Sequence, residues 1–265
     1  MLRHRGLVSR SFLALCFILI GASTVRGNSS LLQLPAKDRQ MLVSHLGAGV
    51  VGEPLPSQSI DDPLLLFPFH GDELTYHFSS GKNKGKTQAE TLTKVERPNG
   101  KTVWRLQLTP TLTGYIREAQ NGDIVMPAIE DSSEGALVIT EPANPFLPKG
   151  MKPGETRSYS QRVSVRYLDD ISNERYSGTL KSDYTYLGTF KVKVPAGTFD
   201  AIVLRVKNEG KIGPAHTLNT GYNLFAPGKG IVAMILQSKV TAFWIYNIDG
   251  IGGKVLSSKV RKDGD

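Results

Sequence analysis

The densest group of side chains able to bind a metal or move a proton is His70, Asp72 and Glu73, with His77 four residues beyond Glu73. In an extended segment Glu73 and His77 point to the same face. Each residue advances the chain by about 3.3 Å, so the two lie too far apart to share one ion without a bend. The expected roles are an exposed turn for His70 and Asp72 and a cross-strand pair, and no metal is assigned. His45 and His216 are the other histidines outside the N-terminal segment; His216 follows the turn Gly213-Pro214-Ala215, and no serine motif accompanies it. Adjacent acids occur at Asp61-Asp62 and Asp169-Asp170. Glycosidases use two carboxyl groups that the fold brings together, but neighbours on a strand point apart, and both pairs sit beside turn signals. They read as surface loops. No G-x-S-x-G, H-E-x-x-H or glycine-rich phosphate loop occurs. No catalytic residue and no cofactor is therefore assigned.

Aromatic side chains supply the candidate binding site: Tyr222, Phe225, Phe243, Trp244 and Tyr246. The run Phe243-Trp244-Ile245-Tyr246 is apolar on both faces of a strand, so one face meets the core. The other meets either a ligand in the cleft of an open barrel or an N-terminal arm.

These residues need elements to position them, and the chain begins with a segment that reads differently from the rest. Arg3, His4, Arg5 and Arg10 precede the apolar run Phe12–Ile20, which is too short to span a bilayer. Val25 and Gly27 suit the −3 and −1 positions of a signal-peptidase site, so residues 1–27 are read as a signal peptide. Cys16, the sole cysteine, lies inside the apolar run after Leu15, which argues against lipidation. The exported part then has no thiol and no disulfide, and about 238 residues must be held by their core alone. The formal charge of +8 includes four leader arginines; without them it is +4, a mild excess that suits a solvated surface or an anionic one. No basic helix or RNA-binding aromatic pattern is present, so no nucleic acid partner is expected. No second apolar run reaches transmembrane length.

Residues 28–69 read as an irregular lead-in with one short helix over Lys37–Leu46, broken by Gly47, Gly49, Gly52, Pro54, Pro56 and Pro63 and packed along the domain edge. From Gly71 the pattern is β: strands at 74–78, 87–95, 103–108 and 114–118, turns at Pro98-Asn99-Gly100 and Asn121-Gly122-Asp123, and strands again at 157–168 and 176–194. Pro142, Pro145, Pro148, Gly150, Pro153 and Gly154 mark a crossing between a β half at 70–145 and another at 146–265. The shared pattern G-[DE]-x-x-x-Y at Gly71–Tyr76 and Gly154–Tyr159 is consistent with two similar halves. The fold class is all-β: an antiparallel meander forming a curved sheet or partial barrel.

Two hairpins end the pattern. Val194-Pro195-Ala196-Gly197-Thr198-Phe199-Asp200-Ala201 places Pro195 where a fixed φ starts a tight turn and Gly197 where a positive φ lets the strands resume. Ala226-Pro227-Gly228-Lys229-Gly230 does the same for the next pair, with Pro227, Gly228 and Gly230 as turn-formers, and a last strand is expected at 241–248. With the tyrosine-glycine strand at Tyr186–Gly188, these motifs resemble the DUF3108-like group, a family of exported bacterial proteins of unknown function. The resemblance covers roughly residues 70–240 and is specific in its C-terminal half; Leu224-Phe225 and Lys229 depart from the family pattern. It implies a curved antiparallel sheet or partial barrel in the cell envelope and implies no reaction.

The functional expectation is an exported, non-enzymatic binding or structural module, periplasmic or secreted, for an amphipathic small molecule or a partner protein. The rival is a hydrolase of envelope glycans or lipids with two fold-assembled carboxylates. A third reading is assembly through an exposed β edge.

Overall fold

Alternation of apolar and polar residues beyond position 71 calls for strands that bury one face, and in the computed structural model these strands join into one sheet. The structure describes residues 31–96, 102–242 and 246–261. Among them, in chain order, lie α1 (Ala36–Leu46), β1 (Val51–Leu55), α2 (Pro63–Leu66), β2 (Asp72–Phe78), β3 (Thr87–Glu96), β4 (Thr102–Gln107), β5 (Leu112–Glu118) and β6 (Ile124–Asp131). There follow β7 (Ala136–Leu147), β8 (Thr156–Tyr167), β9 (Glu174–Val194), β10 (Gly197–Ile212), β11 (Ala215–Ala226), β12 (Gly230–Ala242) and β13 (Tyr246–Arg261). The leader at 1–27 and the turn at 98–100 lie outside the described residues.

From β2 to β13 each strand pairs antiparallel with its chain neighbours. The last strand then pairs with the first: Lys254 lies opposite Phe78 and Arg261 opposite Asp72. The meander is thus a closed barrel of twelve strands, with β1 as a thirteenth. Closure leaves β2 and β13 without the free edge that an open or partial barrel would expose there. β1 lies along the C-terminal half of β9, with Leu55 opposite Thr189, while β8 occupies the same edge of β9 from Thr185 to Glu174.

Four sequence expectations change. Residues 141–147 belong to β7, and β7 pairs with β8 across the 148–155 connection, so both halves build one sheet. The lead-in contains β1 and α2 as well as its helix; Pro54 is accommodated in β1, a short strand paired on one side only. α2 does not lie along an edge but carries Leu66 and Phe67 into the interior core. The last strand is β13, reaching Arg261, whereas Thr241 ends β12.

Two cores lie on opposite faces of the strands from β9 to β12. The apolar run Ala201-Ile202-Val203-Leu204 of β10 divides between them. Ala201 and Val203 pack with Leu42 and Leu46 of α1. Ile202, Leu204 and Val206 join Leu92, Leu106, Ile116 and Ile124 from β3 to β6, so this second core is the barrel interior. A strand buried on both faces reads as such a continuous apolar run. α1 is fixed to its face by Asp38, 2% exposed, whose two oxygens each accept from Arg205 Nη1 at 2.8 Å. Tyr222 donates its hydroxyl to the same carboxylate at 2.7 Å, and burial, with the charge of Asp38 adding, pushes that phenol up.

Asp38→Ala leaves Arg205 without its partner on a mostly apolar face. The expected loss is about 3 kcal/mol of unfolding free energy in urea titration, at unchanged m-value.

Candidate functional site

An eight-stranded barrel is just filled by its own side chains, and wider barrels enclose space. Twelve strands here leave a cavity of about 260 Å³ in the interior. Its floor is Phe67, the residue that follows α2. Asp62 caps the helix, accepting from Leu64 N at 3.0 Å and Leu65 N at 3.3 Å, and Pro63 starts it. That short turn aims Phe67 inward, where its ring meets Phe146 edge-on at 5.0 Å and Phe225 at 6.3 Å. The Ala226–Gly230 turn holds the floor in place: Gly228 N donates to Leu65 O at 2.7 Å, and Phe67 lies close against Gly230, where a Cβ would meet the ring at 3.4 Å. Both glycines take positive φ, 70° and 83°. In the preceding hairpin Pro195 and Ala196 form the turn between β9 and β10, and Gly197 has φ 138°.

The walls are mainly apolar, with Leu106, Met126, Ile231 and Met234, and carry the polar side chains Glu90, Asn144, Asn208 and Asn223. Glu90 is buried and bonded to the ammonium of buried Lys254, which projects from the inward face of β13 opposite Met234. That ammonium stands 4.5 Å from the centre of the Tyr76 ring, and Tyr76 donates its hydroxyl to Ile231 O at 2.8 Å. Burial pushes the Glu90 carboxyl up, against the opposing pull of Lys254. Burial pushes the Tyr76 phenol well up too, and the charge of Glu90 adds to it.

Away from the floor the inward face turns polar. Tyr159, Ser182, Asn208 and Asn219 stand directly opposite one another across β8, β9, β10 and β11. Gln161 follows Tyr159 on the same face of β8. Tyr184 sets its ring edge-on to Tyr159 at 5.4 Å and donates its hydroxyl to Pro145 O; burial pushes its phenol up.

Two of the aromatic residues expected to bind a ligand, Tyr222 and Phe225, belong to different cores. Tyr222 is buried under α1, on the face of β11 opposite to Asn223, because successive residues of a strand point apart. Phe225 is fully buried inside the barrel, brought to that face by an irregularity between Leu224 and Phe225, and it packs beneath the cavity floor. Phe243 and Trp244 lie outside the described residues; Tyr246 opens β13, opposite Ala242. Asp72 is buried and paired with Lys259 at 2.8 Å, so it is no exposed turn residue. His45 Nδ1 lies 3.3 Å from Ser80 Oγ, and His216 lies 3.6 Å from Glu209 in an exposed pair. Asp62 is the α2 cap, and Asp170 holds its own turn through Ser172. The residues missed in the sequence are Glu90, Lys254, Asn144, Gln161, Asn208 and Asn219. For Asn219 the sequence carries a signal: Asn219, Gly221 and Asn223 alternate with Leu218, Thr220 and Tyr222.

No family model matches the chain, and no curated protein matches it in sequence. Two solved structures are similar to it. One is a protein from Bacteroides fragilis assigned as exported and to a YmcC-like fold, at TM-score 0.37 and 12% identity, over 77% of this chain and 100% of that one. Another, from Parabacteroides distasonis and assigned as a lipoprotein, gives TM-score 0.36 and 12% identity over 78% and 100%. At these scores the likeness carries no argument about function.

The raised Glu90 carboxyl has a pH consequence. The folded state holds this proton more tightly than the unfolded chain, so stability falls as pH rises from the ordinary value of 4.5 through the folded value. Glu90→Gln lacks that descent. Urea midpoints measured against pH are expected to show wild type losing ground relative to the variant over this interval, and parallel curves contradict the assignment.

Proposed function

We propose that this chain is an exported, non-enzymatic binding module whose barrel interior holds an amphipathic small molecule. The carrying observation is the cavity itself: apolar floor and walls, polar residues away from the floor, and ionisable neighbours already matched in a pair. This is the arrangement of a site that orients a mostly apolar guest. The leader and the DUF3108-like hairpins support export and an envelope setting, periplasmic or secreted. Outward residues of β9 and β10 above the α1 face are Lys181, Asp183, Lys207, Glu209 and Lys211, all exposed. That charged exterior fits water rather than the apolar outer band of a membrane barrel.

The hydrolase reading needs two carboxyl groups about 5–10 Å apart in one cleft. Among the described residues lining the cavity, Glu90 is the one acid, and Lys254 engages it. This favours binding over hydrolysis at this site.

Native mass spectrometry of the protein purified gently from its own host is expected to show an added mass of a lipid or similar small molecule, released on denaturation. Gly221 lines the cavity, and a Cβ there meets nothing closer than Ile235 O at 3.7 Å. Gly221→Leu therefore fills the chamber without a backbone clash and is expected to abolish the added mass in a folded protein. A bare wild-type mass contradicts the reading and favours a protein partner.

A further inference from the structure

Gln161 is 2% exposed, yet neither its Oε1 nor its Nε2 has a hydrogen-bond partner. The same holds for the buried Oδ1 atoms of Asn208 and Asn219, directly opposite each other on β10 and β11. Each unpaired buried polar atom costs about 1–3 kcal/mol, so a cluster of them on one inward face calls for a guest. Asn208 also lines the cavity and joins the cluster to it. We infer that the ligand bears an uncharged polyhydroxyl head held by Gln161, Asn208 and Asn219, with its apolar body toward Phe67. This rests on the binding reading above and names the ligand's chemistry.

Three acceptor oxygens and one donor nitrogen face the head. As these amides stand, an ionised carboxylate or phosphate brings no donor for the three oxygens, and a quaternary ammonium brings neither donor nor acceptor. A hydroxyl donates and accepts, so it satisfies these amides in either orientation of their oxygen and nitrogen. Gln161 is separated from Asn208 by two strand spacings and two residues along the strand, about 12 Å along the wall. One hydroxyl cannot bridge that span, whereas a group carrying several can. The nearby charges are already engaged: Arg157, on the same face of β8, bonds Glu155 and the carbonyls of Lys149 and Gly150, and Lys254 bonds Glu90. Among the described residues, neither of these two charges is left free for an ionic head.

The test uses the full exported chain and three probes of equal chain length below their micelle-forming concentrations: octyl glucoside, octanoate and octyltrimethylammonium. Calorimetric titration is expected to give the glucoside at least about tenfold tighter binding than either ion. Gln161→Leu and Asn208→Leu are each expected to weaken glucoside binding roughly fivefold to tenfold and to leave octanoate unchanged. Equal binding of the three probes by wild type overturns the head assignment while leaving the chamber reading intact. Binding of none overturns both. Unchanged glucoside affinity in folded variants, checked by thermal melts, also overturns the assignment, and the wild-type comparison stands even where a variant fails to fold.

Discussion

Pairing of β13 with β2 is the constraint on which the rest of the molecule depends. It joins strands some 180 positions apart in the chain and turns a meander into a barrel with an inside. Twelve strands set that inside wider than the wall side chains can fill. The chain answers with α2 and Phe67 at one end, clamped by the Ala226–Gly230 turn. What remains unfilled is the chamber. The site is thus a geometric consequence of strand number rather than of any catalytic motif.

The outer face solves a different problem. β10 buries both sides where α1 covers it and only one side beyond, and Arg205 marks the border. Below it Ala201 and Val203 meet α1; above it Lys207, Glu209 and Lys211 face water. The Asp38 carboxylate pins the helix at that border by holding Arg205 and Tyr222 together. A misplaced α1 would expose the apolar residues of the first core, so the same ion pair that fixes the helix keeps the barrel's outer face dry there.

Local features of the fold were legible in the sequence, because strand alternation and turn residues act over a few positions. Pro195 with Gly197, and Pro227 with Gly228 and Gly230, mark turns for reasons contained in their own φ angles. Closure was not legible, since no local rule pairs Phe78 with Lys254. Nor was the full length of β13, which runs on to Arg261 beyond the strand expected at 241–248. The two sides of β11 were not legible for a related reason. Residue type does not tell the two faces apart, and alternation sends Tyr222 outward to Asp38 and Asn223 inward to the chamber. Which face is inward depends on closure, so the Asn219, Gly221, Asn223 alternation carried the right signal without its direction.

Methionine methyl groups give the most direct view of the central claim, that the barrel interior is a binding chamber. Met126 and Met234 line the cavity, while Met41 packs against the α1 core outside it. NMR spectra of methyl-labelled methionines, recorded while octyl glucoside is added below its micelle-forming concentration, separate the two places. The account predicts saturable shifts of Met126 and Met234 with Met41 unmoved. Shifts confined to Met41, or none at all, contradict it.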